Sequence, residues 1–146
     1  FPTRRSSDLA LVTRLVKRYA PDVVALESVF AALNLRTALR LAEVRGVVLL
    51  AAAQCGVPVH SYSPREVKYS VTGYGHASKQ QVQQMVRAQL GLAQPPQPAD
   101  AADALAVALC HIYLCQARLR LRSATRRATE PTATGPSSRR RIPSAR

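Results

Sequence analysis

Three consecutive segments constrain this chain most: a short apolar run from Val23 to Leu26, a long Leu-, Val- and Ala-rich stretch from about Asn34 to Cys55, and a second run from Val57 to Tyr62. The first run, VVAL, is flanked by Asp22 and Glu27 and reads as a strand covered on both faces. The long stretch reads as a helix with Asn34 as its N-cap. Strand, long helix and strand spell a βαβ unit, with parallel strands joined by a right-handed crossover. The expected fold class is therefore α/β. Two strands alone make a poor sheet, and one long edge of it lies open. The expectation is that further strands precede Ala10 and complete the sheet.

Helices account for most of the rest. Leu11, Val12, Leu15, Val16 and Tyr19 follow helical spacing, and Pro21 ends that helix. Ser63, Pro64 and Glu66 make a strong helix start, with a capping Ser, Pro at the first position and Glu three residues after the Ser. Thr72 to Ala77 is a loop, and Ser78 with Gln81 forms a second capping box. Gln94 to Pro98 is a stiff connector to a last helix from about Ala99 to Leu119. The opening FPTRRSSDL has the look of a non-native scar, so residues 1–9 are set apart from the folded domain, 10–121. Residues 122–146, rich in Ser, Thr, Pro and Arg, read as a disordered basic tail.

The formal net charge is +13 at pH 7, which points to a polyanionic partner. Its location matters more than its sum. From Ala10 to Cys115 ten Lys/Arg face six Asp/Glu, whereas from Gln116 to Arg146 nine Arg face Glu130 alone. The tail, including Arg139, Arg140 and Arg141, is suited to salt-sensitive attraction to phosphates. No stretch of bilayer length is free of charge and no signal peptide opens the chain, so a soluble, cytoplasmic protein with no membrane partner is expected. Cys55, Cys110 and Cys115 form no CxxC pair and read as buried, reduced thiols rather than zinc ligands.

Three carboxylates stand out as chemistry. Glu27 ends an apolar strand, where a charge is costly unless it has a role or reaches water. Asp100 and Asp103 are spaced i, i+3 and share a face at the start of the last helix. The small residues around them allow that helix to pack closely on the sheet and bring both near Glu27. Carboxylates without His or Cys suit hard cations such as magnesium. By spacing alone the same residues read more readily as helix starters beside a solvated strand end.

Five blocks carry a resemblance: ALESVF (Ala25 to Phe30), Asn34 followed by LAEVRGV (Leu41 to Val47), YSPREVK (Tyr62 to Lys68), TGYGHASKQQVQQMV (Thr72 to Val86) and ADAADALAVAL (Ala99 to Leu109). In order and spacing they resemble the RuvC-type Holliday junction resolvases, here as an N-terminally truncated member. The resemblance implies a ribonuclease-H-like fold lacking its first strands, with the βαβ unit and several helices retained. It implies a crossover junction endodeoxyribonuclease that uses two Mg2+ ions per subunit, held at four acidic positions. Glu27 takes the second position, Asp100 the third and Asp103 the fourth. The first lies on an opening strand in a GIDPG-like motif that this sequence lacks, which makes the chain as written an inactive form by expectation. Lys68 and Lys79 match lysines near the scissile phosphate, and Phe30 matches an aromatic that stacks on a base at the junction centre. The helix containing Arg45 and Gly46 resembles the family's dimerisation helix. The implied partners are four-way junction DNA, a second copy of the chain, and the RuvA and RuvB branch-migration proteins. The rivals are a catalytically incomplete fragment that binds junctions without cutting, and a basic RNA-binding protein whose carboxylates are structural.

Overall fold

In the computed structural model, which describes residues 4–28 and 34–129, seven elements follow one another. They are α1 (Arg4–Tyr19), β1 (Val24–Glu27), α2 (Leu35–Gln54), β2 (Val59–Tyr62), α3 (Pro64–Thr72), α4 (Lys79–Gln89) and α5 (Ala99–Thr129). The βαβ unit is present as expected. β1 and β2 pair in parallel in the register Val24↔Val59 to Glu27↔Tyr62, with α2 as the crossover. Among the described residues the sheet has these two strands only.

Local chemistry sets the helix starts. The Asn34 side chain accepts from the Thr37 N–H at 3.0 Å. At α3, Ser63 Oγ accepts from the Glu66 N–H at 3.2 Å while Glu66 Oε2 accepts from the Ser63 N–H at 2.7 Å. Ser78 and Gln81 repeat that exchange at α4, at 3.2 and 2.8 Å. Each pair satisfies two backbone N–H groups that the first helical turn leaves without partners. Gly73 closes α3 at φ 77°, a left-handed conformation that costs a glycine nothing.

The core lies between the sheet, α3, α4 and the first half of α5. Tyr62, Val67, Val71, Val82, Val86, Ala106, Val107, Leu109 and Cys110 form one buried cluster. Ala102 and Ala106 are fully buried, so small side chains do let α5 sit close against its neighbours. By length and composition Ala99–Arg126 of α5 is long and apolar enough to cross a membrane. Its buried face is nonetheless part of this core. α1 and α2 pack on each other and leave Leu15, Leu35, Leu39, Val44 and Leu50 exposed.

The helix expected around Leu11 to Tyr19 begins at Arg4, within the segment set apart as a scar, as no Pro or Gly interrupts Arg4 to Tyr19. Two sequence expectations need correction. α5 continues to Thr129, past the expected end at Leu119, so residues 122–129 of the supposed tail are helical. The Ser123 and Thr125 hydroxyls donate to the carbonyls of Arg120 and Leu121, which accommodates them within the helix. Residues 130–146 lie outside the described residues. Finally, of the three cysteines only Cys110 is buried, and its thiol donates to Ser70 Oγ at 3.3 Å. Cys55 and Cys115 are half-buried.

Candidate functional site

Parallel strands of one sheet present their carboxyl ends on the same side, and crossover loops and helix starts collect there. In this chain Glu27 closes β1 at that end, opposite Tyr62 in β2. α2 secures the position from behind. Arg45 Nη1 donates to the Glu27 carbonyl at 3.1 Å and Nη2 donates to Ser61 Oγ, so one guanidinium ties both strand ends. Sequence reasoning placed Arg45 in a dimerisation helix and missed this bond, which spans 18 residues and leaves no local signature.

The capped starts of α3 and α4 and the start of α5 complete the site. A cleft of about 240 Å³ is lined by Glu27, Pro64, Lys68, Lys79 and Asp103, with Val82, Ala106 and Val107 as its apolar floor. Lys79 Nζ lies 2.8 Å from Asp103 Oδ2. That hydrogen bond raises the Lys79 pKa, with smaller contributions from Asp100 and Glu27. Four of the residues named from sequence, Glu27, Lys68, Lys79 and Asp103, thus meet in one cleft. Asp100 sits one turn earlier on α5, exposed and outside the lining, although Lys79 feels its charge. Phe30 lies outside the described residues.

Glu27 is exposed on one side, yet the protein around its carboxyl still desolvates it. Its pKa is raised from the ordinary value, first by that desolvation and then by Asp103, against the opposing pull of Lys68 and Lys79. A desolvated carboxylate beside two lysines and an aspartate in a cleft is a candidate functional group. The sign of the linked effect follows directly. Because folding raises this pKa, the ionised form is penalised in the folded state at neutral pH. The penalty fades as pH falls through the folded value, and it is absent once the unfolded chain is protonated too. Glu27→Gln should therefore raise the melting temperature at pH 7, and the gain should vanish below about pH 4, where both states carry a neutral carboxyl. Thermal melts of both proteins across that range would check it. Equal melting temperatures at pH 7 would remove the electrostatic cost assigned to Glu27.

The donor set is all oxygen, which suits a hard divalent cation. Even so, among the described residues no three His, Cys, Asp or Glu side chains converge closely enough to hold a metal ion. Glu27 and Asp103 alone fall short of a two-ion centre, and Asp103 is engaged by Lys79.

Two other features were not foreseen. An open groove of about 940 Å³ follows α4, lined by Thr72, Tyr74, Ser78 and several glutamines. It contains no carboxylate or histidine and so offers little acid–base chemistry, which leaves the smaller cleft as the candidate. A polar cluster also joins β2 to α5: Tyr62 Oη lies 2.6 Å from His111 Nδ1, and Cys115 Sγ lies 3.4 Å from His111 Nε2. The i, i+4 spacing of His111 and Cys115 was available in the sequence as a signal for that pairing.

Comparison with known proteins gives a consistent result. Residues 4–111 match the family model described as crossover junction endodeoxyribonuclease RuvC. The RuvC of Desulfitobacterium hafniense is 56% identical over 98 residues, covering 67% of this chain and 59% of that protein. The RuvC of Chloroflexus aurantiacus is 54% identical over 99 residues, covering 68% of this chain and 60% of that protein. The chain thus spans about three fifths of the length of these curated relatives. Among solved structures, Thermus thermophilus RuvC in complex with a Holliday junction substrate superposes with a TM-score of 0.73 at 40% identity, covering 77% of this chain and 68% of that one.

Proposed function

Since the chain belongs to the RuvC family of crossover junction endodeoxyribonucleases, with that family's ribonuclease-H-like fold, we propose that it is the Glu27-to-α5 part of a nuclease that cuts four-way DNA junctions. The observation that carries this reading is the cleft itself. Two carboxylates and two lysines from four different elements meet at the carboxyl end of a parallel sheet. Such a mixture can hold a phosphodiester: the lysines meet its charge, and the carboxylates beside them offer oxygen ligands to a hard cation.

The family is divalent-metal-dependent, and magnesium is the ion we assign. Glu27, Asp100 and Asp103 are the proposed protein ligands, joined by a fourth acidic group on an opening strand. Bound there, such ions would supply charge stabilisation to a phosphodiester under attack. The described carboxylates do not complete that arrangement by themselves. What this chain's own residues contribute is clearer. Lys68 and Lys79 neutralise the phosphate region, Arg45 fixes the strand ends, and Glu27 lines the cleft beside both lysines. Phe30 is proposed to stack on a base at the junction centre.

A homodimer places two such clefts about a two-fold axis and matches the symmetry of a four-way junction. The exposed Leu35, Leu39 and Leu50, which share one side of α2, support that pairing, since an apolar face of this kind seeks cover. The proposed setting is the bacterial cytoplasm, alongside the RuvA and RuvB branch-migration proteins, in recombination and repair.

Competition binding tests the reading. A labelled four-way junction should be displaced far less effectively by duplex RNA of equal length than by unlabelled junction. Equal displacement by both would leave only a general affinity for polyanions.

A further inference from the structure

The second half of α5 has no role in the site or the core. Residues 116–126 are all exposed, and the buried positions of the helix end at Cys110. The segment continues as helix well past the domain it grew from. Its charge has one sign: between Ala104 and Thr129 there is no Asp or Glu. Arg118, Arg122 and Arg126 are spaced i, i+4, i+8 and so form one stripe along the helix. Arg118 and Arg122 repel each other at that spacing, a cost that a polyanion lying along the stripe removes.

Building on the proposed function, we propose that this stripe is a second phosphate-binding surface, which takes the sugar-phosphate backbone of a DNA duplex whose cut strand lies in the Glu27 cleft. The spacing fits one duplex and not one phosphate. Arg118 follows Asp103 by fifteen residues on a continuous helix, a rise of roughly 22 Å. That is too far for both to touch one phosphate, and within the roughly 34 Å of a single duplex turn. Arginine suits the task because its planar fork binds phosphate oxygens in pairs. Contacts of this kind add affinity without reading sequence. The stripe therefore anchors an arm of the substrate, while the cleft selects the bond.

The test measures binding of the full chain to a fluorescent four-way junction and to a linear duplex of equal length, between 50 and 200 mM salt. Removing one arginine–phosphate pairing should lower the slope of log K against log salt by about 0.9, so R118Q/R122Q/R126Q should flatten it by about 2.7 for both DNAs. Over that fourfold salt range the unsubstituted chain should lose about 40-fold more affinity than the triple variant. The charge-conserving R118K/R122K/R126K variant should keep most of the original slope, and far-UV circular dichroism should be unchanged in both. Parallel salt plots for the unsubstituted and glutamine variants overturn the stripe while leaving the nuclease reading in place. A lysine variant as weak as the glutamine one assigns the effect to structure and overturns it as well. Failure of the unsubstituted chain to bind either DNA overturns both readings. If the glutamine variant loses binding to phosphatidylserine vesicles yet keeps its DNA affinity, the stripe is a membrane surface and the proposal falls.

Discussion

Glu27→Gln should lower the rate of junction cleavage by roughly 10²- to 10⁴-fold, the range expected when a positioned catalytic carboxylate is removed. The comparison belongs in a version of the protein extended by an opening strand with a GIDPG-like motif, which supplies the fourth acidic group. Gln keeps the shape of the side chain and leaves the backbone carbonyl free to accept from Arg45, so the strand end should hold its position. Junction affinity should change little or rise slightly, because one negative charge leaves a cleft that receives a phosphate. The raised pKa adds a second readout. The ionisation of Glu27 should contribute to the acidic limb of the cleavage pH profile, and that contribution should disappear in the variant. Cleavage that survives the change, with an unaltered acidic limb, would remove Glu27 from the reaction.

Val86→Asp should have the largest effect on folding. Val86 is fully buried on α4, within the cluster that includes Val71, Val82, Ala106 and Cys110. Among the described residues no buried polar or charged side chain accompanies that core, so an aspartate there gains no charged partner. Burying an unpaired charge ranks among the few changes that cost more than about 4 kcal/mol. A domain of this size is stable by only about 5–15 kcal/mol in total. The urea transition should lose its cooperativity or move to very low denaturant, whereas Val86→Ala should cost about 2 kcal/mol through reduced methyl burial and a small cavity. Junction binding should fall with folding, because packing of α4 on α5 is what carries Lys79 to Asp103. An Asp variant that melts within a few degrees of the parent would mean that α4 does not pack as described.

These two positions also show what a sequence can reveal. The βαβ unit, the Asn34 cap and both capping boxes were legible because each depends on neighbours within a few residues. Strand ends were off by a residue or two: β2 begins at Val59, after Pro58, which has no N–H to give to a ladder. The far end of α5 was misjudged from composition. Ser123 and Thr125 suggest a loop until their hydroxyls are seen bonded back along the helix.

For the site, residue spacing left Glu27, Asp100 and Asp103 open between catalysis and ordinary capping, and the family resemblance supplied the choice. The structure brings Glu27 and Asp103 into one cleft and leaves Asp100 at its margin. The partners that define the electrostatics were not legible. Lys79 meets Asp103 across 24 residues, and Arg45 meets Ser61 across 16. Pairings at such separations follow from tertiary packing and carry no local pattern.

The most direct measurement is magnesium-dependent cleavage of a four-way junction, run on this chain and on the version with the opening strand. The extended version should make paired nicks in symmetric strands and leave linear duplex intact, while this chain should bind the junction and cut it poorly, since its described carboxylates do not converge in threes. If neither version cuts the junction, Glu27, Asp103 and their lysines are not a nuclease centre, and the central claim fails.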